Sequence, residues 1–207
     1  MFMQDTKAFL PAQKIALALS GVTLAPEFSG SGMLASSLVE TPQGWRQAGS
    51  LMQGSLVQTY DGGLCPIARV ERQHFWPGAG VELVHVPGGA LDTCSDLWLM
   101  PEQEVIIASD IVEEVLEVGA AIVPARILAG FRGISMRAVS QPVEMVSLSF
   151  AHHEAVYVNS GALVHCGALR PHDAPDFFPR LDGEAARAML ALVADGVIRC
   201  DQLARAA

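Results

Sequence analysis

Two histidines and a glutamate stand side by side at His152-His153-Glu154, inside the stretch Val146 to Cys166, VSLSFAHHEAVYVNSGALVHC. Imidazoles titrate near neutral pH and a neighbouring carboxylate can orient or charge them. The trio therefore has the residue types of an acid/base centre or of part of a metal site. Before it, Val146, Leu148 and Phe150 alternate with Ser147 and Ser149, the period-two pattern of a half-buried strand; after it, Val156, Tyr157 and Val158 resume an apolar run. The expectation is one strand with ionisable groups in its middle. Neighbouring side chains on a strand point to opposite faces, so His152 and His153 cannot serve one ion without a bulge. One histidine in the core and one at the surface is the plainer expectation. His165 and Cys166 as a reactive thiol pair meet the same objection, and packing is expected of them too.

The elements that would position these groups are short and mostly extended. Leu38-Val39 precedes a turn at Thr41-Pro42-Gln43-Gly44, and Trp45 to Leu51 reads as a second short strand. Ser55 to Tyr60 reads as a strand that ends at Asp61-Gly62-Gly63, with Ile67 to Trp76 as the returning strand. Further strands are expected at Val81 to Val86, Leu97 to Met100, Val105 to Ala108, Ala120 to Leu128 and Ile134 to Val139. Pro124 belongs at a strand edge or bulge because it lacks an N–H. Asp110 to Val118 is open between helix and strand: its apolar spacing favours a turn or two of helix, its β-branched content a strand. A Pro-rich strap, 168 to 181, leads to a helix opened by Asp182-Gly183-Glu184, with Ala186, Met189, Leu190 and Val193 on its apolar side and Gly196 as its stop. Residues 1–31 read as leader and linker, 32–167 as a β domain, and 168–207 as strap plus helix.

The chain has 207 residues, 51% of them hydrophobic and 17% charged, which suits one folded domain with a real core. Its formal net charge of −9 offers no electrostatic footprint for nucleic acid or an anionic membrane. The run Ile15 to Leu19 is too short for a membrane span and lacks the basic start of a secretory signal, so a soluble protein without a span is expected; its compartment stays open. Cys65, Cys94, Cys166 and Cys200 are widely spaced with no CxxC pair, so zinc is not expected, no disulfide can be assigned, and small buried hydrophobes are the expected role.

Several of these pieces, in this order, resemble the Hint (hedgehog/intein) domain family, and within it the bacterial Hint-like branch. The segment GMLASSLVETPQG, Gly32 to Gly44, resembles the family's opening strand and turn. DLWLMPEQEVII, Asp96 to Ile107, resembles its strand pair around a Pro-x-His motif, and VPARIL, Val123 to Leu128, a further strand. MVSLSFAHHEAVYVNSGA resembles its late strand, where Asp-x-His-Glu is usual, and LDGEAARAMLALV its terminal helix. The resemblance implies a mainly β fold, a disc of curved strands with a C-terminal α-helix. It also implies self-directed chemistry that needs no cofactor. A Cys, Ser or Thr at the start of the domain attacks the preceding carbonyl, and a Thr-x-x-His motif polarises the amide.

This sequence departs from that pattern where the chemistry would be done. The nucleophile position falls on Gly32, the motif histidine on Gln103 with Met100 in place of a small polar residue, and the acid before the late histidine on Ala151. Only His153 and Glu154 keep the family's residue types, and glutamine can donate a hydrogen bond but cannot shuttle a proton. The expected function is thus a degenerate Hint domain without autoprocessing, a structural or interaction module for a protein partner not named by the sequence. The alternative is residual self-cleavage at the Gly30–Ser31 bond, with Ser31 as a displaced nucleophile. The candidate vestigial site is Ser31, Gln103, His153 and Glu154 around Gly32. No metal and no cofactor enter either reading.

Overall fold

A computed structural model describes residues 30–169 and 178–205, with side chains to residue 194. The fold is mainly β. Six strands form one antiparallel sheet: β1 Met33–Leu34, β6 Arg69–Phe75, β7 Glu82–Val86, β8 Leu97–Leu99, β11 Ser135–Ala138 and β12 Val143–Ser149, in the order β11-β7-β8-β1-β12-β6. Eight strands form the other: β2 Leu38–Thr41, β3 Gly44–Gln47, β4 Leu56–Thr59, β5 Gly63–Pro66, β9 Glu104–Ala108, β10 Ala120–Pro124, β13 Glu154–Val158 and β14 Ala162–Cys166. Its main path is β10-β9-β14-β13-β2-β3, with β4 on β13 and β5 on β4. The helices are α1, Asp110–Leu116, and α2, Gly183–Arg205. Among the described residues no helix is long and apolar enough to cross a membrane.

The main core gathers Val39, Val57, Leu99, Val146, Phe150 and Val164 from both sheets, together with Ala186 and Met189 of α2. Strands buried on both sides lose the alternation that marks a half-exposed strand. In β10, Ala120 to Val123 are all buried, and Val105 to Ile107 of β9 likewise, which explains their unbroken apolar runs. Smaller apolar clusters lie apart from the main core, one around Phe75, Leu83 and Met145 and another around Ile106, Ile122 and Ala155.

Several expected boundaries move, each for a local reason. The stretch from Val146 to Val158 is not one strand. β12 ends at Ser149, β13 starts at Glu154, and the two belong to different sheets. The crossing is anchored at Phe150, whose ring is buried, whose N–H donates to the Gly167 carbonyl at 3.1 Å and whose carbonyl accepts from Leu169 at 2.9 Å. His152 and His153 therefore sit in a bend, where the opposite-face rule for strands has no hold. The hairpin after β4 returns through β5, not through Ile67 to Trp76: Thr59 pairs with Gly63, which turns at φ +69, so the return starts at once. β6 instead pairs along its whole length with β12. The strand expected from Trp45 to Leu51 stops at Gln47 and continues as a 3-10 turn.

Asp110 to Leu116 is helical. The Ser109 hydroxyl accepts from Val112 N–H at 3.2 Å and Glu117 closes the helix in the left-handed region, so the capping residues decide against the strand. Ala120 to Leu128 is a strand only to Pro124, then a 3-10 turn. α2 continues through Gly196 to Arg205, since a helix-interior glycine weakens but does not break a helix, at about 1 kcal/mol relative to alanine. Cys65, Cys94 and Cys166 are free thiols, while the Cys200 side chain, residues 1–29 of the expected leader and residues 170–177 of the expected strap lie outside the described residues.

Candidate functional site

The β13–β14 hairpin and its neighbour β9 build a polar cluster that the late histidine joins. The hairpin turns at Asn159 and Ser160, both at positive φ, and sets Glu154 opposite Cys166 and Ala155 opposite His165. β9 lies along the other side of β14, with Val105 opposite Val164, which brings Glu104 to His165. His165 Nδ1 lies 2.6 Å from Glu104 Oε2. Arg180 reaches the same carboxylate with two guanidinium nitrogens, Nε to Oε1 at 2.6 Å and Nη2 to Oε2 at 3.1 Å. Its segment is held to β10 by backbone bonds, Ile122 N–H to Pro179 and Leu181 N–H to Ile122. The His153 ring stacks on His165, centroids 5.2 Å apart and planes 14° from parallel.

The charges in this cluster follow from its geometry. Burial works to raise the Glu104 pKa, yet hydrogen bonds from His165 and Arg180 together with their charges hold it down at about 2. Glu104 is thus an ionised anchor. Burial depresses the His153 pKa and the neighbouring His165 and Arg180 add to the depression, so the neutral imidazole is favoured at neutral pH. A small cleft of about 40 Å³ opens beside these rings, with Tyr60, Asp61 and Glu154 on its wall and Ile122 and Phe178 closing it.

The expected site residues fall into two groups. Gln103 and His153 both touch His165: the Gln103 amide donates to the His165 carbonyl at 2.8 Å and to the Glu104 carbonyl at 2.9 Å, whereas His153 meets the ring. Gln103 is buried, and its own N–H donates to Met100 O at 3.0 Å. Gly32 is on the far side of that turn, its carbonyl accepting from Met100 N–H at 2.8 Å. Ser31 beside it is exposed, and its carbonyl accepts a hydrogen bond from the Ser147 hydroxyl. Glu154 turns away from His153 toward the β4–β5 hairpin, where Oε1 accepts from the Cys65 thiol at 3.4 Å. Burial raises the Cys65 pKa, partly offset by Thr59 and reinforced by Glu154, which keeps that thiol protonated.

Glu104, His165 and Arg180 are the members that the sequence did not single out as a group. Glu104 carries no spacing signal, and Arg180 lies beyond a proline-rich stretch; only the pairing of β9 with β14 could have joined them. Cys166, next to His165, is fully buried with its thiol pushed up to about 12 by burial, so it is no nucleophile at neutral pH, in line with the packing role expected of it. His152 is exposed. Among the described residues, no three His, Cys, Asp or Glu side chains are placed to hold a metal ion.

A family model described as Hint domain matches residues 32–164. Among solved structures, a bacterial intein-like domain from Clostridium thermocellum is similar at 15% identity and a TM-score of 0.48, over 66% of this chain and 99% of that one. The AceL NrdHF class 3 split intein, in a splice-inactive variant, is similar at 12% identity and a TM-score of 0.47, over 68% and 100%. The MchDnaB-1 intein is similar at 16% identity and a TM-score of 0.39, over 64% and 98%. No curated protein matches the chain.

Proposed function

Because the chain belongs to the Hint domain family, we propose that it keeps that family's β scaffold without its self-processing chemistry and serves as a structural or interaction module. The observation that carries this reading is the packing around Gly32, where the family's nucleophile is expected. A Cβ built there would lie 2.9 Å from Ser147 Oγ and 3.1 Å from the Val146 carbonyl oxygen, on backbone at φ +152. A cysteine, serine or threonine at this position would meet β12 before it met a substrate bond. Gln103 supports the same reading, since both N–H groups of its amide are directed to backbone carbonyls and it has no proton to relay. Ala151 offers no acid.

Self-cleavage at the Gly30–Ser31 bond is the competing outcome. It needs a donor on the Gly30 carbonyl as that oxygen becomes an anion, and the Ser147 hydroxyl is engaged by the carbonyl one residue later. The test is intact mass of the purified chain, with and without hydroxylamine or thiol. A single full-length species is expected in all conditions, and a break near Ser31 that Ser31→Ala abolishes would overturn the reading. Restoring a nucleophile gives a second test. Gly32→Cys is expected to remain uncleaved and to lose about 1–2 kcal/mol of stability, read by intact mass and urea unfolding together; efficient cleavage by this variant would mean that only the nucleophile was missing.

A further inference from the structure

The cleft beside His153 presents acceptors and aromatic faces. His165 lines this cleft with its Nδ1 directed to Glu104, and Glu154 Oε2, a carboxylate oxygen of another lining residue, is buried with no hydrogen-bond partner among the described residues. Asp61 adds a carboxylate at the rim. Tyr60 and Phe178 stand as two tilted rings, centroids 6.2 Å apart, and Ile122 gives an apolar floor. The nearest guanidinium, Arg180, is directed to Glu104.

We propose that this cleft binds a primary ammonium group on a short apolar chain, as a lysine side chain of a partner protein presents it. The inference rests on the reading of the chain as a binding module and gives the partner a chemistry. An ammonium brings three N–H donors to a wall of acceptors, and its charge is favoured by the carboxylate and by the aromatic faces. Its methylenes cover the isoleucine floor, as long basic side chains do on apolar surface. A bare divalent ion is a poorer fit, because the ligating groups among the described residues do not converge in threes. An anion would meet Asp61 and Glu154 on a chain of net charge −9. His153 contributes an imidazole whose pKa is lowered mainly by its partial burial.

The test uses the full-length chain at pH 8 and low ionic strength, titrated with n-butylammonium, butyrate and 1-butanol while the histidine imidazole signals are followed by NMR. Saturable shifts of the His153 and His165 signals with n-butylammonium alone are expected, with His74, exposed on β6, unmoved. Asp61→Asn and Tyr60→Leu, both at an exposed turn, are each expected to weaken binding by about fivefold or more. Equal response to 1-butanol, or an unchanged affinity in both variants, overturns the ammonium site while leaving an uncleaved scaffold as it stands. Cleavage near Ser31 in the same samples overturns the module reading on which the site depends.

Discussion

Glu104→Ala is expected to lower stability at pH 7 by about 2–3 kcal/mol, because it leaves a buried imidazole and a guanidinium without their shared carboxylate. The figure sits below that of a fully buried pair since Arg180 and Glu104 are both partly exposed. The pH dependence has a definite sign. Glu104 titrates in the folded chain at about 2, below its ordinary 4.5, so the folded state gains from its ionisation at every pH above the ordinary value. That gain disappears as the pH falls from about 4.5 toward 2. Other carboxylates titrate over the same range, so the quantity to measure is the difference in urea-unfolding free energy between the native chain and Glu104→Gln. It should be constant from pH 7 to about 5 and shrink below. A difference that stays flat down to pH 2.5 would mean that the Glu104–His165–Arg180 contacts do not hold in solution.

Gly161→Ala is expected to cost about 3 kcal/mol, a fall in Tm of roughly 6–12 °C for a chain of this size. A Cβ at Gly161 would lie 2.0 Å from the Asp92 carbonyl oxygen and 2.4 Å from its carbon, both backbone atoms with no flexible end to yield. The hairpin would have to withdraw, and its neighbour Asn159 ties it down on two sides. Asn159 Oδ1 accepts from Leu38 N–H at 2.8 Å and its amide donates to the Asp96 carbonyl at 2.9 Å. Because the same hairpin sets the register of His165, the stacking of His153 should loosen in this variant as well. Gly119→Ala is the control: a Cβ there meets nothing within 4 Å, and thermal unfolding should be nearly unchanged. Equal losses in the two variants would remove the argument from the Asp92 contact.

The β class, the terminal helix and most strands were legible because their apolar spacing is local. β7 and β9 fall within a residue or two of their expected limits, and α2 opens where Asp182 caps it, its carboxylate accepting from the N–H groups of Glu184 and Ala185. What was not legible depended on partners far away in the chain. The run through Phe150 has the pattern of one strand, and only the two sheets on either side reveal it as a crossing. The site divides in the same way. His153 stood out by its residue type, but its setting is made by Glu104 and Arg180, whose types are ordinary for a strand end and a loop. Glu154 also stood out and then turned to Cys65, since a side chain at the first position of β13 can be drawn to either neighbour. The packing that denies Gly32 a side chain comes from Ser147 and Val146, more than a hundred positions on, and no local pattern carries that information.

The placement of β1 and β2 has a consequence for the order in which the molecule can be made. β1 lies between β8 and β12, Met33 opposite both Leu99 and Val146, and β2 pairs with β13 through Val39 and Val158. β1 and β2 are therefore inner strands of the two sheets, and each has one partner, β12 or β13, more than a hundred residues later in the chain. Loop closure over that distance is slow relative to local hairpins. β2 can pair at once with β3, and β1 later with β8, but neither sheet can close its centre until β12 and β13 have emerged. Until then one edge of β1 and one edge of β2 are open to strand exchange with a neighbouring chain, and completion of both sheets is a late event of folding.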